Sequence, residues 1–443
     1  MNYYLYAIKA RLLELVRFDY PQLKLPLSMY LLFLAWSQFR IGKPLLALQC
    51  LAKLQRSAWL GSTGPVVKLV RKYVYERPDS GNRRLQLIDE LSETVSQSEK
   101  TERFFNNPLA LFDGVCRILK FPTGAGKGVI IVKYNYCFPL MFKLFDMKSL
   151  AEHYHIVLEP SWAGTCDPAI IAYSVLDVPV FVMAYEDRDR DFLNLINTTL
   201  NPICLSSNWW VDHRVFYADP SVTKDIDVVV IAAWARFKRH HKIFKALRSV
   251  RKYRGNIKIA LVGYPGDLTI DQIKKLATHF GLNDVIEYHE KIPQCKVSAI
   301  LRRSKVNLLW SRFEGINRGI IEGMFCDVPC VIREGFNYGQ KYAYINPKTG
   351  VWASESNLPE VLVDVIEKYN EFEPRAYVME HHNCFLATKK LQELINASLR
   401  NLGKPGIHGI AVKVNELNCM KYFDEADTTR FASSIKNLIE FVR

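Results

Sequence analysis

The chain has 443 residues, too many for one ordinary hydrophobic core, so two or three domains are expected. Hydrophobic residues make up 49% and charged residues 23%, proportions that exclude a mainly disordered chain. The formal net charge of +14 predicts an anionic partner, such as nucleic acid, acidic lipid or a polyanionic sugar. The alternative is a basic protein that has no such partner.

The cysteines and the hydropathy of the first residues indicate the cellular compartment in which the protein is expected. The ten cysteines contain no C-x-x-C pair, which favours free thiols in a reducing environment. No signal peptide follows Met1, and the richest early apolar run, Leu25 to Trp36, is shorter than the ~18–20 residues of a spanning helix. We therefore expect a cytoplasmic protein without a transmembrane segment.

Residues 1–100 are predicted to be a basic helical extension. Apolar residues recur at helical spacing within 12–16, and residues 29–55 are typical of a helical hairpin that turns at 42–44. Basic helices of this kind can lie on anionic membranes, so peripheral contact with the inner face of a membrane is one expectation. An ordinary solvated face is the other. Pro78 and Gly81 predict that the stretch 77–100 ends the helical block.

From about residue 127 the pattern changes to short apolar runs that alternate with helical segments. Such alternation predicts parallel sheets with crossover helices. The runs predicted as strands of a first sheet are 129–133, 155–159, 178–183 and 202–205. Those predicted for a second sheet are 227–232, 258–262, 285–287, 306–310 and 328–332. Two such sheets joined near residue 220 predict an α/β fold of two Rossmann-like domains that face a cleft.

Two carboxylates stand out in the second half. Glu314 follows the predicted strand that ends at Trp310, and Glu322 lies eight residues further on, inside a predicted helix. At ~1.5 Å per residue their separation along that helix is roughly 12 Å, about the span of a diphosphate with its flanking sugars. Backbone N–H groups at a helix start near Gly315 to Asn317 favour a phosphate or another anion. The alternative is a solvent-facing acid in a first helical turn.

Further landmarks accompany the two glutamates in a fixed order along the chain. They are Arg236 with Lys238 and Lys242 after the first strand, Leu261-Val262-Gly263, Tyr288 to Pro293, Glu314-Gly315 to Glu322-Gly323, and Val328-Pro329. With these landmarks, the segment from Asp227 to Ala353 resembles the retaining GT-B glycosyltransferases of the family 4 type, also called group 1. The resemblance implies a GT-B chain with domains over 101–220 and 221–414 and a C-terminal helix within 415–443 that rejoins the first domain.

The resemblance also implies roles for individual residues. Glu314 would contact the donor sugar, Glu322 would accept from the ribose hydroxyls, and Arg236 with a nearby lysine would neutralise the leaving diphosphate. Lys238 and Lys242 both remain candidates for that lysine. The other donor-binding positions implied are Gly315, Ile316, Asn317, Gly263, Lys291 and Ile292. Asn317 stands where many relatives have a second glycine, and no lysine-glycine pair follows Arg236.

These residues predict transfer of a sugar from a nucleotide-sugar to an acceptor, with retention of anomeric configuration. The positive charge suggests that the acceptor is a lipid-linked or cell-envelope glycan. The cations replace a metal in this scheme, and no metal ion or other cofactor is expected. A non-catalytic GT-B-like scaffold that recruits partners through its helical block is the alternative function. No nucleic-acid module is recognisable, so no nucleic-acid partner is expected.

Overall fold

The computed structural model describes residues 21–57, 64–96, 101–124, 126–162, 164–315, 317–335 and 342–443. The chain forms two compact units. The first comprises Met1–Ser206, Thr388–Lys413 and Asn418–Arg443, and the second comprises Ser207–Ala387 and Val414–Leu417. Among the helices described, none combines the length and the apolar character that crossing a bilayer requires.

The first unit begins with a helical block whose hairpin is confirmed. Its helices are α1 (Lys24–Arg40), α2 (Pro44–Ser57), α3 (Gly64–Val70) and α4 (Ser80–Ser96). The turn between α1 and α2 contains Gly42 at φ +76°, a conformation that glycine adopts without a steric penalty. The helical spacing within 12–16 lies outside the described residues. The prediction that 77–100 ends the block is wrong, because α4 continues it and packs against α2.

The sheet of the first unit has five strands in sequential order. They are β1 (Cys116–Lys120), β2 (Gly128–Lys133), β3 (Tyr154–Glu159), β4 (Val180–Met183) and β5 (Leu200–Ile203). The four predicted strands are β2 to β5, and they pair in parallel as expected. The edge strand β1, which the sequence did not indicate, pairs antiparallel with β2.

Short helices connect these strands. They are α5 (Glu102–Asn106), α6 (Phe138–Leu144), α7 (Met147–His153), α8 (Pro168–Ile171) and α9 (Asp187–Ile196). The first unit has one continuous core, in which residues of the helical block such as Leu48 and Leu51 join the buried strand residues. The helical block is therefore part of this unit's core.

The end of the chain returns to the first unit. Its elements are α16 (Cys384–Asn401), β12 (Lys413–Asn415), β13 (Met420–Tyr422) and α17 (Glu425–Asn437). The Tyr422 hydroxyl donates to the carbonyl of Ile118 at 2.8 Å, and the Phe431 ring lies 4.4 Å from that of Phe121. These contacts attach the last segment to the edge strand β1.

The second unit contains a six-stranded sheet in which every pair of neighbours is parallel. The strands are β6 (Ile226–Ile231), β7 (Ile259–Gly263), β8 (Ile286–Glu290), β9 (Ser304–Leu309), β10 (Cys330–Arg333) and β11 (Gly350–Ala353). The helices are α10 (His240–Arg254), α11 (Ile270–His279), α12 (Gln294–Arg302), α13 (Arg318–Phe325), α14 (Leu358–Glu367) and α15 (Pro374–His381). The predicted α/β fold with two mainly parallel sheets and a helical amino-terminal region is confirmed.

Strand order in the second sheet is β11-β10-β9-β6-β7-β8. This is the doubly wound Rossmann order, in which the chain starts in the middle, winds to one edge and then returns to wind to the other. The direction reverses between β6 and β9, which are neighbours. Ligands of open α/β sheets bind beyond the carboxyl ends of the strands at such a reversal.

Candidate functional site

Charged residues follow nearly every strand at the carboxyl edge of the second sheet. Because all six strands are parallel, the segments that follow them emerge at the same edge. The charged residues concerned are Arg236 and Lys238 after β6, Asp267 after β7, Lys291 after β8, Glu314 after β9 and Glu355 after β11. This edge is therefore the candidate site.

The segments after β6 and β9 are joined residue by residue at the reversal point. The Arg312 N–H donates to the carbonyl of Phe237 at 2.8 Å. The rings of Phe237 and Phe313 stack with centroids 4.8 Å apart. These contacts bring the next residue of each segment, Lys238 and Glu314, face to face.

Lys238 and Glu314 form the central ion pair of the site. The Lys238 Nζ donates to the Glu314 Oε1 at 2.5 Å, and both side chains are nearly buried. A buried ion pair of this kind is held by mutual attraction, since each charge alone would be costly to bury. The pair therefore places one carboxylate and one ammonium at the point where the strand order reverses.

The other candidate cations also have carboxylate partners. The Arg236 N–H donates to the Asp267 Oδ1 at 2.9 Å, and its guanidinium donates to the Asp267 Oδ2 at 3.3 Å. Lys242 does not approach Glu314 in this way: its Nζ donates to the Glu355 Oε2 at 2.9 Å, and Arg239 donates to the other Glu355 oxygen. The structure thus distinguishes the two lysines that the sequence left as alternatives: Lys238 contacts Glu314, and Lys242 contacts Glu355.

Burial also acts on the histidine that opens α10. His240 is almost fully buried and packs against Trp234 with ring centroids 5.7 Å apart. Burial, with a smaller contribution from the charge of Lys238, lowers the pKa of His240 to about 4. The ring is therefore neutral near pH 7, and the positive charge of this turn belongs to Arg236, Lys238, Arg239 and Lys242.

The helix that follows Glu314 begins directly after Asn317. Asn317 is the N-cap of α13, and its side-chain oxygen accepts from the Ile320 N–H at 2.7 Å. This N-cap agrees with the predicted helix start near Gly315 to Asn317, but Glu314 and Gly315 lie before the helix, so the estimate of roughly 12 Å along a helix axis does not apply to Glu314. Ile316 lies outside the described residues.

Glu314 and Gly315 are instead held by a tyrosine. The Tyr342 hydroxyl is 3.4 Å from the Glu314 carbonyl and 3.3 Å from the Gly315 carbonyl. These two contacts hold the carbonyl groups of the short segment between β9 and α13.

Glu322 lies in the second turn of α13 and is buried. Burial raises the pKa of its carboxyl, while the neighbouring charge of Arg318 opposes this effect. The Arg318 Nε lies 2.6 Å from the Glu322 Oε1. The remaining Arg318 nitrogens donate to the carbonyls of Asn415 and Glu416, each at 2.6 Å.

Two glycines bring α13 close to the sheet. The side-chain amide of Asn307 in β9 donates to the Gly319 carbonyl at 2.8 Å. A Cβ built on Gly323 would lie 2.5 Å from that same amide nitrogen, so only glycine fits there. The close approach fixes the position of Glu322, which lies between these glycines in the sequence.

The segments after β7 and β8 are linked by their backbones. The Lys291 N–H donates to the Gly263 carbonyl at 2.9 Å, and Lys291 adopts a left-handed conformation at φ +53°. Gly263 packs so closely on Ala232 and Trp234 that a Cβ would clash with both. Gly263 therefore has a packing role in the structure, whereas Lys291 is exposed and Ile292 is partly exposed.

Several residues of this edge were not singled out from the sequence. Asp267, Arg318, Tyr342 and Glu355 are the partners that hold the predicted cations and carboxylates. A search for charged residues just after each predicted strand would have found Asp267, but not Glu355, because Glu355 follows β11, a strand that was not predicted. The pairing of Arg318 with Glu322 had a local signal as well, because residues four apart are neighbours on a helix.

In the first unit, the loop after β3 is held by the helical block. Gln55 of α2 accepts from the Cys166 N–H at 2.6 Å and donates to the Asp189 side chain at 3.2 Å. Asp189 in turn accepts from the Gly164 N–H at 2.9 Å. The helical block thus positions a loop at the carboxyl edge of the first sheet.

Comparison with known proteins identifies the class of the second unit. Residues 217–381 match the family described as Glycosyl transferases group 1. This segment contains the Lys238–Glu314 pair and the rest of the described edge up to Glu355. The predicted glycosyltransferase class is therefore confirmed for this part of the chain. No curated protein matches the chain.

Among solved structures, the chain is similar to TarM of S. aureus, at 16% identity and a TM-score of 0.47 over 60% of this chain and 55% of that chain. That protein was crystallised as a variant with Fondaparinux, alpha-GlcNAc-glycerol and UDP. Sucrose-phosphate synthase of Thermosynechococcus elongatus is 14% identical, with a TM-score of 0.48 over 72% and 80%. Anabaena HepE, in complex with UDP and glucose, is 13% identical, with a TM-score of 0.47 over 60% and 78%. The chain spans about half the length of TarM.

Proposed function

We propose that the protein transfers a sugar from a nucleotide-sugar to an acceptor and that the donor binds at the carboxyl edge of the second sheet. The observation that carries this proposal is the Lys238–Glu314 ion pair. It lies at the reversal of a Rossmann-ordered sheet, within a segment that matches Glycosyl transferases group 1. The fold, the family match and the charged pair support the same location.

The proposed chemistry follows from where charge develops. Breaking the bond between the sugar and the diphosphate leaves positive charge on the anomeric carbon and negative charge on the diphosphate. Lys238 and Arg236 would stabilise the diphosphate, and arginine can do so through two parallel hydrogen bonds. The Glu314 carboxylate would accept from hydroxyls of the sugar and stabilise the oxocarbenium-like centre.

Donor binding would exchange the hydrogen-bond partners of the two cations. In the structure Lys238 donates to Glu314, and Arg236 donates to Asp267. A diphosphate that took hydrogen bonds from these two cations would release the Glu314 carboxylate to the sugar. The existing pairs thus keep the cations and the carboxylate at the edge until the anion replaces one partner.

The remaining donor contacts are assigned by position. Glu322 would accept from the ribose hydroxyls, which it can do whether or not its carboxyl carries a proton. The N–H groups of Gly315 and Ile316 would donate to the diphosphate, with Asn317 at the helix start beside them. Lys291 and Ile292 would lie near the base. The cations supply the positive charge in this scheme, so it invokes no metal ion.

Retention of anomeric configuration, and the nature of the acceptor, extend the proposal. Retention rests on the resemblance of the Glu314–Glu322 element to the retaining group. A lipid-linked or cell-envelope glycan is proposed as the acceptor, and the inner face of a membrane as the place of reaction, because the net charge is +14. A nuclear magnetic resonance spectrum of the anomeric proton in the first product would test retention directly.

The central experiment is a panel of nucleotide-sugars in thermal-shift and donor-hydrolysis assays. We expect one donor to raise the melting temperature and to be hydrolysed slowly. Glu314→Gln should lower the hydrolysis rate by about 10²–10³-fold, because it removes charge stabilisation from the transition state. Glu322→Gln should weaken donor binding instead. The exposed Glu360→Gln is the matched control and should behave as the wild type does.

Two results would overturn the proposal. Failure of every nucleotide-sugar to stabilise the protein would remove the donor site. Equal hydrolysis by wild type and a folded Glu314→Gln variant would remove the proposed role of the carboxylate and favour the scaffold alternative.

A further inference from the structure

Helix α1 has apolar residues both on its buried face and on its exposed face. Its inner face, with Ser28, Ala35 and Phe39, is buried against the rest of the helical block. Its outer face presents a stripe at helical spacing that is largely exposed: Leu25 (64%), Met29 (57%), Phe33 (61%) and Trp36 (41%). A surface helix of a globular protein normally places polar residues on its outer face. Leu25, Met29, Phe33 and Trp36 are called the α1 stripe below.

The α1 stripe stands on a firmly packed base. The Phe39 ring stacks on the Tyr73 ring with centroids 5.0 Å apart. Arg83 of α4 donates to the Phe39 carbonyl at 3.3 Å, and Gln86 donates to the Gly42 carbonyl at 2.9 Å. Helix α1 is therefore fixed by its inner face, and the outer stripe is presented on a rigid element.

All charged residues in the sequence around the α1 stripe are basic. Between residues 21 and 75 there is no aspartate or glutamate, and the cations are Lys24, Arg40, Lys43, Lys53, Arg56, Lys68, Arg71 and Lys72. Arg40 and Lys43, at the C-terminal end of α1, are both exposed. The Arg40 guanidinium lies 5.8 Å from the Trp36 ring centroid. Aromatic and aliphatic side chains flanked by cations are the composition of helices that lie in a lipid interface.

We propose that the α1 stripe is a docking surface for an anionic phospholipid bilayer, which α1 enters side-on while Arg40 and Lys43 contact the headgroups. Each cation near such a surface adds electrostatic attraction, and apolar side chains add to it by leaving water. A second copy of this chain is a poorer occupant, because pairing two such faces would bring like charges together. The α1 stripe would hold the enzyme at the membrane that carries the proposed lipid-linked acceptor. This role of the stripe rests on the proposed function.

The binding itself is tested without a glycosyltransferase assay. The full-length protein is sedimented with vesicles of equimolar phosphatidylglycerol and phosphatidylcholine, and with vesicles of phosphatidylcholine alone. We expect binding to the first kind, weaker binding to the second, and a decline as the NaCl concentration rises. Thermal shift with the donor found by the panel is measured in parallel on each variant.

Two matched pairs of variants separate the apolar and the electrostatic contributions. Met29→Ser with Phe33→Ser should weaken vesicle binding by about ten-fold or more, because both side chains leave water on docking. The control is Leu195→Ser with Ile439→Ser, at equally exposed apolar positions of the same unit. Arg40→Glu with Lys43→Glu should weaken binding by about ten-fold or more, against Lys148→Glu with Lys436→Glu as control.

The outcomes distinguish this surface from the donor site. The proposal is supported if the Met29/Phe33 variant and the Arg40/Lys43 variant both lose vesicle binding, while their donor thermal shift and the binding of the control variants are unchanged. Equal binding by the stripe and control variants would overturn it, as would absence of binding to anionic vesicles by the wild type. A concentration-dependent dimer in size-exclusion chromatography that the stripe variants abolish, without vesicle binding, would assign the surface to a second copy instead.

Discussion

At the scale of single residues, Lys238 and Lys242 differ in partner although they are only four residues apart in the sequence. Lys238 pairs with the nearly buried Glu314, whereas Lys242 shares the more exposed Glu355 with Arg239. Lys238→Met should therefore lower kcat/KM for donor hydrolysis by about 10²–10³-fold. Lys242→Met should lower it by less than about ten-fold, because Arg239 keeps Glu355 in place. Steady-state kinetics with the donor from the panel measures both.

Thermal unfolding of the same variants is the control for folding. Lys238→Met also leaves Glu314 without its ammonium partner and should lower the melting temperature, whereas Lys238→Arg should restore much of it. A larger kinetic loss in Lys242→Met than in Lys238→Met would contradict the assignment of Lys238 to the diphosphate.

His240 gives the stability of the second unit a predictable dependence on pH. Its pKa of about 4 in the folded state lies below the 6.5 of an unperturbed histidine. Between these values the unfolded chain binds the proton and the folded chain does not, so the free energy of unfolding rises with pH. The contribution is complete above about pH 6.5 and is lost as the pH falls towards 4.

Urea unfolding of wild type and His240→Gln across this range isolates the contribution of the ring. We expect the variant's free energy of unfolding to rise less than that of the wild type, by up to roughly 3 kcal/mol. Parallel curves for the two proteins would show that His240 gains its proton in the folded state as easily as in the unfolded one.

At the scale of elements, the packing of α13 on β9 opposes ordinary helix propensity. Alanine normally stabilises a helix relative to glycine by about 1 kcal/mol. At Gly323 the added Cβ would lie 2.5 Å from the Asn307 amide nitrogen, so we expect Gly323→Ala to destabilise the protein by about 1–3 kcal/mol. It should also weaken donor binding, because Glu322 is the preceding residue.

Gly81 in α4 is the matched control, since a Cβ there meets nothing within 4 Å. Gly81→Ala should leave stability unchanged or raise it by a few tenths of a kcal/mol. Chemical denaturation of both variants gives the comparison. A stabilised Gly323→Ala variant would show that α13 can move away from the sheet without cost.

The elements also show which parts of the fold could be predicted from the sequence. Buried parallel strands are near-continuous apolar runs, so segments such as 228–231 and 259–262 were predictable by composition alone. The start of α13 was predicted near Gly315 to Asn317, and Asn317 is its N-cap, a residue type that is favoured at this position. The edge strands β1 and β11 and the helix α4 were missed. Arg117 and Lys120 interrupt the apolar run of β1, Gly350 begins β11, and Pro78 with Gly81 suggested a break in the helix.

Ion pairs were the least predictable part of the site. Glu314 and Lys238 were both named from the sequence, but their contact depends on β6 and β9 being neighbours, which strand order alone decides. The same holds for Arg236 with Asp267 and for Lys242 with Glu355. Sequence spacing indicates which residues follow a strand, whereas partner choice needs the order of the strands in the sheet.

At the scale of the whole molecule, a buried charge pair joins distant parts of the chain within the first unit. Lys413 Nζ lies 2.6 Å from the Glu159 Oε2, with both side chains 1% exposed, and Lys133 lies 4.0 Å from the other Glu159 oxygen. Removing one member of a buried pair leaves an uncompensated charge. Lys413→Met should therefore destabilise the first unit by about 2–4 kcal/mol, less than for an isolated pair because Lys133 remains.

Differential scanning calorimetry with and without the nucleotide-sugar identifies the unit affected. The transition that the donor does not shift should move to lower temperature in Lys413→Met, while the exposed Lys148→Met should leave both transitions in place. A shift confined to the donor-sensitive transition would show that Lys413 supports the second unit instead.

The interrupted layout of the first unit, whose last segments are Thr388–Lys413 and Asn418–Arg443, has a consequence for biosynthesis. A ribosome releases the first sheet's strands early, yet Tyr422 and Phe431, which contact its edge strand and the residue after it, emerge only after the second unit. The intervening unit has nearly all of its own residues by then and can fold first. Nascent chains should therefore expose the edge of the first sheet to chaperones until Tyr422 and Phe431 have left the ribosome.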